Sequence, residues 1–530
     1  MTPGTISPDQ VTTLLQQRGA HALLDVRERA AFERGHIFRA TPLPRRLLET
    51  RLPGLVTASG TLIVLYDDDG RISTLAAATL GDMGYTEVFV LTGGFEAWRA
   101  AGGPVVQGLN VPSKVFGEHV LHDRKTPEVT PLELSARMAQ GQDMVIVDTR
   151  TPEEYNRGCL PGAWSMPGGE LVLRLGELVK RPDTTIVVHC GGRTRSYLGA
   201  ESVRKMGLPN PVVAVKNGTM GWVLDGLELE RGASRWPPEP SPGGRALAAK
   251  VAKRVAADEG VPFVSPDEVK ALLARRDGDN VYILDVRTSE EYAASHIAGA
   301  VWAPGGQAVQ ATDEYVAVLK ATVVLACDGF ARSVMTAAWL RRMGFPNAVV
   351  LAGGLESWKQ SGGAVDSGHP APAPWGLETA RRHVATVPPG PLGDALVLNV
   401  DTSDVYARGH VPGAAWICAS RLELELGGIA RDKTRPIVLT CADGVQSTLA
   451  AITVDGMGYS AVRVLAGGTR AWVEAGLGVE GGLTRLVGHA DDVVLKPYEK
   501  GRPSMEAYLR WEEELDSEGK SPHELLPTGD

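Results

Sequence analysis

Three cysteines stand where a short apolar run ends in a loop: Cys190, Cys327 and Cys441. The thiolate is the nucleophilic form of cysteine, and cationic neighbours or a helix N-terminus favour it. Residues 185–188 (Thr-Ile-Val-Val) read as a buried strand and the periodic residues from Tyr197 onward as a helix, which makes residues 190–195 a strand-to-helix turn. N–H groups in such a turn, at Gly191 and Gly192, point inward at an anion. Arg193 and Arg195 add positive charge beside the sulfur, so the Cys190 thiol is expected to be depressed and Cys190 to be the leading nucleophile. His189 is a candidate base, unless its strand-end side chain points away from the loop.

Cys327 is followed by Asp328, Gly329 and Arg332; the aspartate raises the thiol and the arginine opposes it. Cys441 has acidic Asp443 nearby and Gln446 in the arginine position, so weaker activation is expected. Cysteine is also a common small buried residue. Cys159 and Cys418 lie outside any such loop and read as structural.

A chain of 530 residues exceeds what one core supports, so three to five domains are expected. With 43% apolar residues, 22% charged residues and a net charge of -9, it carries no basic stripe for nucleic acid. Residues 1–10 lack a signal pattern and no run approaches the roughly 18 apolar residues of a membrane span, so a cytoplasmic location is expected. Five cysteines without a C-x-x-C pair suggest neither a disulfide framework nor a metal site.

One pattern recurs four times. A strand ends at Asp25, Asp148, Asp285 or Asn399; 42 residues later a loop starts at Asp67, Cys190, Cys327 or Cys441; a Gly-Gly-x-x-x-Trp or Asn-Gly-x-x-x-Trp turn follows, ending at Trp98, Trp222, Trp358 or Trp472. The tryptophans read as core. Alternating strands and helices, such as residues 63–65, 74–83 and 88–91, argue for βαβ units and parallel sheets. Ligands in such sheets bind beyond the strand C-termini, where the loops fall. Residues 107–126, 232–246 and 366–375 read as linkers, the proline-rich ones as semi-rigid spacers. Residues 504–515 read as an amphipathic helix, with Tyr508, Trp511 and Leu515 on one face, packing on a preceding domain.

Taken together, the Asp-x-Arg pairs (Asp148 and Arg150, Asp285 and Arg287), the Gly35-His36-Ile37 and Pro161-Gly162-Ala163 pieces, the cysteine loop and the glycine–tryptophan turn resemble the rhodanese family. The resemblance implies an α/β protein of four tandem rhodanese-like domains, each a mainly parallel sheet flanked by helices, at residues 1–106, 127–231, 260–365 and 376–483, with a C-terminal helical tail at 484–530. It also implies sulfurtransferase chemistry without a metal or organic cofactor. Cysteine takes sulfane sulfur from a small anionic donor, thiosulfate or 3-mercaptopyruvate, and passes it to cyanide, a thiol or a protein acceptor. Arg193, Arg195 and Arg332, with Gly191, Gly192 and Gly329, would bind the donor. Asp148 and Asp285 would pair with Arg195 and Arg332 and orient them, in support with Arg150 and Arg287.

The four loops are graded. Asp67 and Ile72 replace the cysteine and arginine of the first repeat, which is expected to be inactive. Arg193 and Phe330 occupy the position where the family more usually has glycine, and the fourth repeat, although it keeps Gly444, has Asn399 and Asp401 for the aspartate and arginine. Two rival readings remain. A cysteine phosphatase or arsenate reductase resembles Cys-x5-Arg, whereas both loops here are Cys-x4-Arg, a smaller cradle. A non-catalytic persulfide relay or scaffold for a protein partner would suit the graded loops.

Overall fold

The computed structural model describes residues 3–17 and 19–515. In each repeat the two longest apolar runs become adjacent parallel strands. In the second repeat these are Met144–Asp148 and Thr185–His189, in register Val147 to Val188 and Asp148 to His189. Residues 185–189 are β-branched save the last, and buried along Ile186–His189, as expected of a strand covered on both faces. The same pairing sets Asp25 beside Tyr66, Asp285 beside Ala326 and Asn399 beside Thr440. The constant interval of 42 residues is therefore a register: the residue before each loop is hydrogen-bonded alongside the marker residue.

The main sheet of each repeat has the same order for its first five strands, with the loop-bearing strand third. In the first repeat it runs Gly4–Ile6, Val88–Leu91, Leu62–Tyr66, His21–Asp25, Thr41–Pro42, and every neighbouring pair is parallel. The fourth sheet gains a sixth parallel strand, Leu486–Val487, beside Ala415–Ile417. The four tryptophans are buried, each donating its indole N–H to a backbone carbonyl six residues on. No described helix is long and apolar enough to cross a membrane.

The second glycine of each turn explains the motif. Gly218 has φ +50°, and a Cβ there would collide with the Cys190 carbonyl; Gly354 and Gly468 stand in the same relation to Cys327 and Cys441. The next residue donates its N–H to that carbonyl: Thr219 to Cys190 at 2.9 Å, Leu355 to Cys327 at 2.9 Å, Thr469 to Cys441 at 2.8 Å. Only glycine lets the turn dock this closely on the loop.

Two of the expected linkers contain or run into helices. Residues 107–126 contain the helix Val111–Arg124, whose Val115, Phe116, Val120 and Leu121 are buried. Residues 232–246 lead into the helix Pro242–Asp258, which buries Ala248, Val251, Ala252 and Val255 between repeats. Pro112 and Pro242 lie in the first turns of these helices, where proline is favoured, while residues 232–241, with Pro237, Pro238 and Pro240, stay non-helical. The third linker, 366–375, stays largely exposed, and Trp375 donates its N–H to Glu49 at 2.8 Å. One apolar cluster runs unbroken through the first three repeats, while the fourth has cores of its own.

The C-terminal helix spans Arg502–Glu514 and packs, as its apolar face requires, on what precedes it. Residues 516–530 of the expected tail lie outside the described residues.

Candidate active site

Asp148 and Arg150 close on each other at the end of their strand. The Arg150 N–H and Nε donate to Asp148 Oδ1 at 3.0 Å each, and Nη2 reaches Oδ2 at 2.7 Å and the Gly158 carbonyl at 2.5 Å. Arg287 repeats this with Asp285, at 2.5 Å, and the Ser295 carbonyl, at 2.6 Å. These are buried clamps that tie a strand end to the next loop. The expected pairing of Asp148 with Arg195 and of Asp285 with Arg332 is not made, because each aspartate is already saturated by the arginine two residues on.

The loop arginines find other carboxylates. Arg195 donates to Glu154 at 2.7 and 2.9 Å. Arg332 donates to Glu291 at 2.6 and 2.7 Å, to Asp328 at 2.7 Å and to Glu170 of the second repeat at 2.8 Å. Glu154 and Glu291 close capping boxes with Thr151 and Thr288. Against burial, the paired arginine holds both carboxyls down at about 2.

These glutamates were missed in the sequence, yet a signal was there. Each lies six residues after its marker aspartate, and the equivalent positions hold Ala31 beside Ile72 and Val405 beside Gln446. Glutamate and arginine are kept or lost together.

Arg193 is a second correction. Expected beside the sulfur, it turns away to Glu118 at 2.8 and 2.7 Å, to Asn217 at 2.9 Å and to Glu513 at 3.0 Å. The buried Glu118 of helix Val111–Arg124 needs a cation, and Arg193 supplies it. His189 also points away: its ring lies 3.6 Å from Asp148 in the core, and burial lowers its pKa.

The expectation of a depressed thiol is likewise corrected. Burial pushes the Cys190 thiol up, opposed by Arg195, Ser196 and the Gly192 N–H and reinforced by Glu512. Burial also raises Cys327, with Arg332 opposing and Asp328 adding, as the sequence suggested. Cys441 is raised by burial too, opposed by Ser447. Desolvation costs the thiolate more than the nearby cations return.

The fourth loop holds its sulfur by N–H donors from Gly444 at 3.2 Å and Ser447 at 3.3 Å. Gly444 has φ +89°, as does, nearly, Gly70 of the first repeat at +96°; Arg193 and Phe330 sit at −121° and −151° instead. The repeat that lacks the arginine thus has the glycine-shaped cradle. In the first repeat the cradle is filled by Asp67 itself, whose carboxylate accepts from the N–H groups of Gly70, Ile72 and Ser73 at 2.9, 3.0 and 3.2 Å and from the Ser73 hydroxyl at 2.6 Å.

The loops also differ in exposure. Asp328, Ala442 and Asp443 reach solvent and a Cβ on Gly329 would meet nothing, whereas Gly191, Gly192 and Arg193 are all buried. What covers them is the C-terminal helix. Cys159 and Cys418 lie elsewhere: the first sits in the second repeat's core with its thiol pushed up to about 11, and the second donates to Glu28 at 3.3 Å between the fourth and first repeats.

The model of the rhodanese-like domain matches residues 7–101, 130–225, 265–361 and 391–475. The crystal structure of a thiosulfate sulfurtransferase from Pseudomonas aeruginosa superposes with a TM-score of 0.91 at 36% identity, over 99% of this chain and 100% of its own. Two single-domain relatives match shorter stretches. A sulfurtransferase of Allochromatium vinosum is 30% identical over 102 residues, 19% of this chain and 92% of its own. The thiosulfate sulfurtransferase GlpE of Pseudomonas putida is 38% identical over 95 residues, 18% of this chain and 84% of its own.

Proposed function

This chain belongs to the rhodanese-like family of sulfurtransferases, and from that premise we propose that it moves sulfane sulfur from thiosulfate to a thiophilic acceptor through cysteine persulfides. The observation that carries this is the loop geometry: Cys190 and Cys327 each begin a strand-to-helix turn and feel the charge of an arginine fixed by a carboxylate.

In the first half-reaction a cysteine thiol gives its proton to solvent. The thiolate attacks the outer sulfur of thiosulfate, a Cys S–S bond forms, the donor S–S bond breaks, and its electron pair leaves with sulfite. The persulfide anion is held by loop N–H groups and by the loop arginine. In the second, cyanide or a thiolate attacks the outer sulfur and the cysteine leaves as thiolate, giving ping-pong kinetics. Arg195, Arg332, Gly191, Gly192 and Gly329 are assigned to the loops that hold donor and persulfide, and Asp148, Arg150, Asp285 and Arg287 to the frame beneath them. Arg193 is assigned to holding helix Val111–Arg124. 3-Mercaptopyruvate is the second donor to compare. The first repeat, its cradle filled by Asp67, is assigned no sulfur chemistry.

Thiosulfate–cyanide turnover tests this. Wild type should give parallel double-reciprocal lines, and the combined Cys190→Ser, Cys327→Ser and Cys441→Ser variant should be inactive; turnover surviving in that variant would refute the assignment.

One observation favours a second reading, a persulfide relay to a protein partner. Cys190 is 2% exposed and its loop is covered by the chain's own helix. A relay would load with sulfur once and stall with small acceptors.

A further inference from the structure

The C-terminal helix brings a carboxylate to the Cys190 loop. Glu512 is 2% exposed, and its Oε2 would stand 2.8 Å from a Cβ on Gly192. Its Oε1 accepts the Tyr508 hydroxyl at 2.9 Å, while Oε2 has no hydrogen-bond donor among the described residues. A buried, half-satisfied carboxylate is costly, so its retention needs a reason.

Packing alone does not supply one. The helix is already seated by Met505 and Leu509 against Met220, by Glu513 on Arg193, and by Lys114 lying 4.6 Å from the Tyr508 and Trp511 rings. The charged or titratable groups that act on Glu512 are Lys114 from helix Val111–Arg124, Tyr508 on its own helix, and Arg193 and Arg195 from the loop. Glu512 in turn acts on Cys190. Beside the Arg193–Glu513 pair a cleft of 520 Å³, lined also by Lys125, Glu128 and Lys216, opens at the same rim.

We propose that Glu512 is a specificity-determining residue of the Cys190 site: its charge, held against Gly192, disfavours anionic reactants at this thiol relative to uncharged ones. The third and fourth loops carry carboxylates of their own instead, Asp328 bonded to Arg332 at 2.7 Å and to Arg245 of helix Pro242–Asp258 at 3.4 Å, and Asp443 at 3.7 Å from the Cys441 sulfur. Glu512 would then slow thiosulfate, a dianion, at Cys190 more than it slows an uncharged reactant. This rests on the reading of Cys190 as a sulfur-carrying cysteine, but its test does not.

Iodoacetate and iodoacetamide alkylate thiolates alike and differ in charge. Their rate ratio at one cysteine cancels that cysteine's ionisation and its burial. Site-resolved mass spectrometry would follow Cys190, Cys327 and Cys441 in the wild type, in Glu512→Gln and in the charge-keeping Glu512→Asp, at about pH 8. Glu512→Gln should raise the iodoacetate-to-iodoacetamide ratio at Cys190 about tenfold, as removal of one unit charge at short range implies. The ratio at Cys327 and Cys441 should not move, and Glu512→Asp should stay near wild type. Equal acceleration of both reagents would make the helix a steric cover only and overturn the proposal. An unchanged ratio would overturn it, and so would a Cys190 that neither reagent reaches. Failure to form a persulfide with the ratio shift intact would count against the sulfur chemistry alone.

Discussion

At the scale of single residues, the loops show how one cradle can hold different anions. Asp67 presents its carboxylate to the N–H groups that in the fourth repeat face a sulfur. Asp67→Ala would leave those donors and Ser73 unpaired, and should cost about 2 kcal/mol, read as a lower urea midpoint. The Glu154–Arg195 pair carries a pH signature. With its carboxyl at about 2 in the folded chain and near 4.3 unfolded, Glu154 stabilises fully above the unfolded value. That contribution is lost as pH falls through 4 toward 2. The stability difference between wild type and Glu154→Gln should therefore be largest near pH 6 and shrink progressively below pH 4. A difference that grows on acidification would contradict the pairing.

At the scale of elements, strand register was legible in the sequence and side-chain partnership was not. Four equal intervals marked two adjacent parallel strands, and the glycine–tryptophan turn announced its own docking on the loop. Arg193 misled because charge near a cysteine in sequence says nothing of a buried Glu118 on a helix that read as linker. Glu154 was hidden for a related reason: it is 41 residues from Arg195, and only the loss of both in the first and fourth repeats betrays it. The C-terminal helix was legible as amphipathic, but not where its apolar face would land. Leu509→Ala should weaken that docking by about 2–3 kcal/mol, which raises local opening about thirtyfold or more. Iodoacetamide should then alkylate Cys190 faster, and the iodoacetate-to-iodoacetamide ratio there should rise because the opened helix carries Glu512 away, with Cys327 and Cys441 unchanged. An unchanged Cys190 rate would mean that the helix does not govern access.

At the scale of the whole molecule, the repeats are not beads. Helices Val111–Arg124 and Pro242–Asp258 weld the first three into one apolar core, whereas the fourth meets the first through ion pairs and hydrogen bonds, Arg45 with Glu423 at 2.6 Å and Ser420 with Glu28 at 2.6 Å. Apolar burial couples units in proportion to its area, and the buried polar contact of the fourth repeat adds little such area. Calorimetry should resolve two transitions, one for the fourth repeat and one for the other three. Four separate transitions would contradict the shared core. Arg332, which reaches Glu170 of the preceding repeat, places the third loop on that same shared core.

The most direct test of the sulfurtransferase reading is cysteine-resolved mass spectrometry after incubation with thiosulfate, with sulfite measured alongside. One added sulfur on Cys327 or Cys441, and on Cys190 once Leu509→Ala loosens the helix, with sulfite released in equal amount, is the expected result. No sulfur on any of the three, with thiosulfate or 3-mercaptopyruvate as donor, would contradict it.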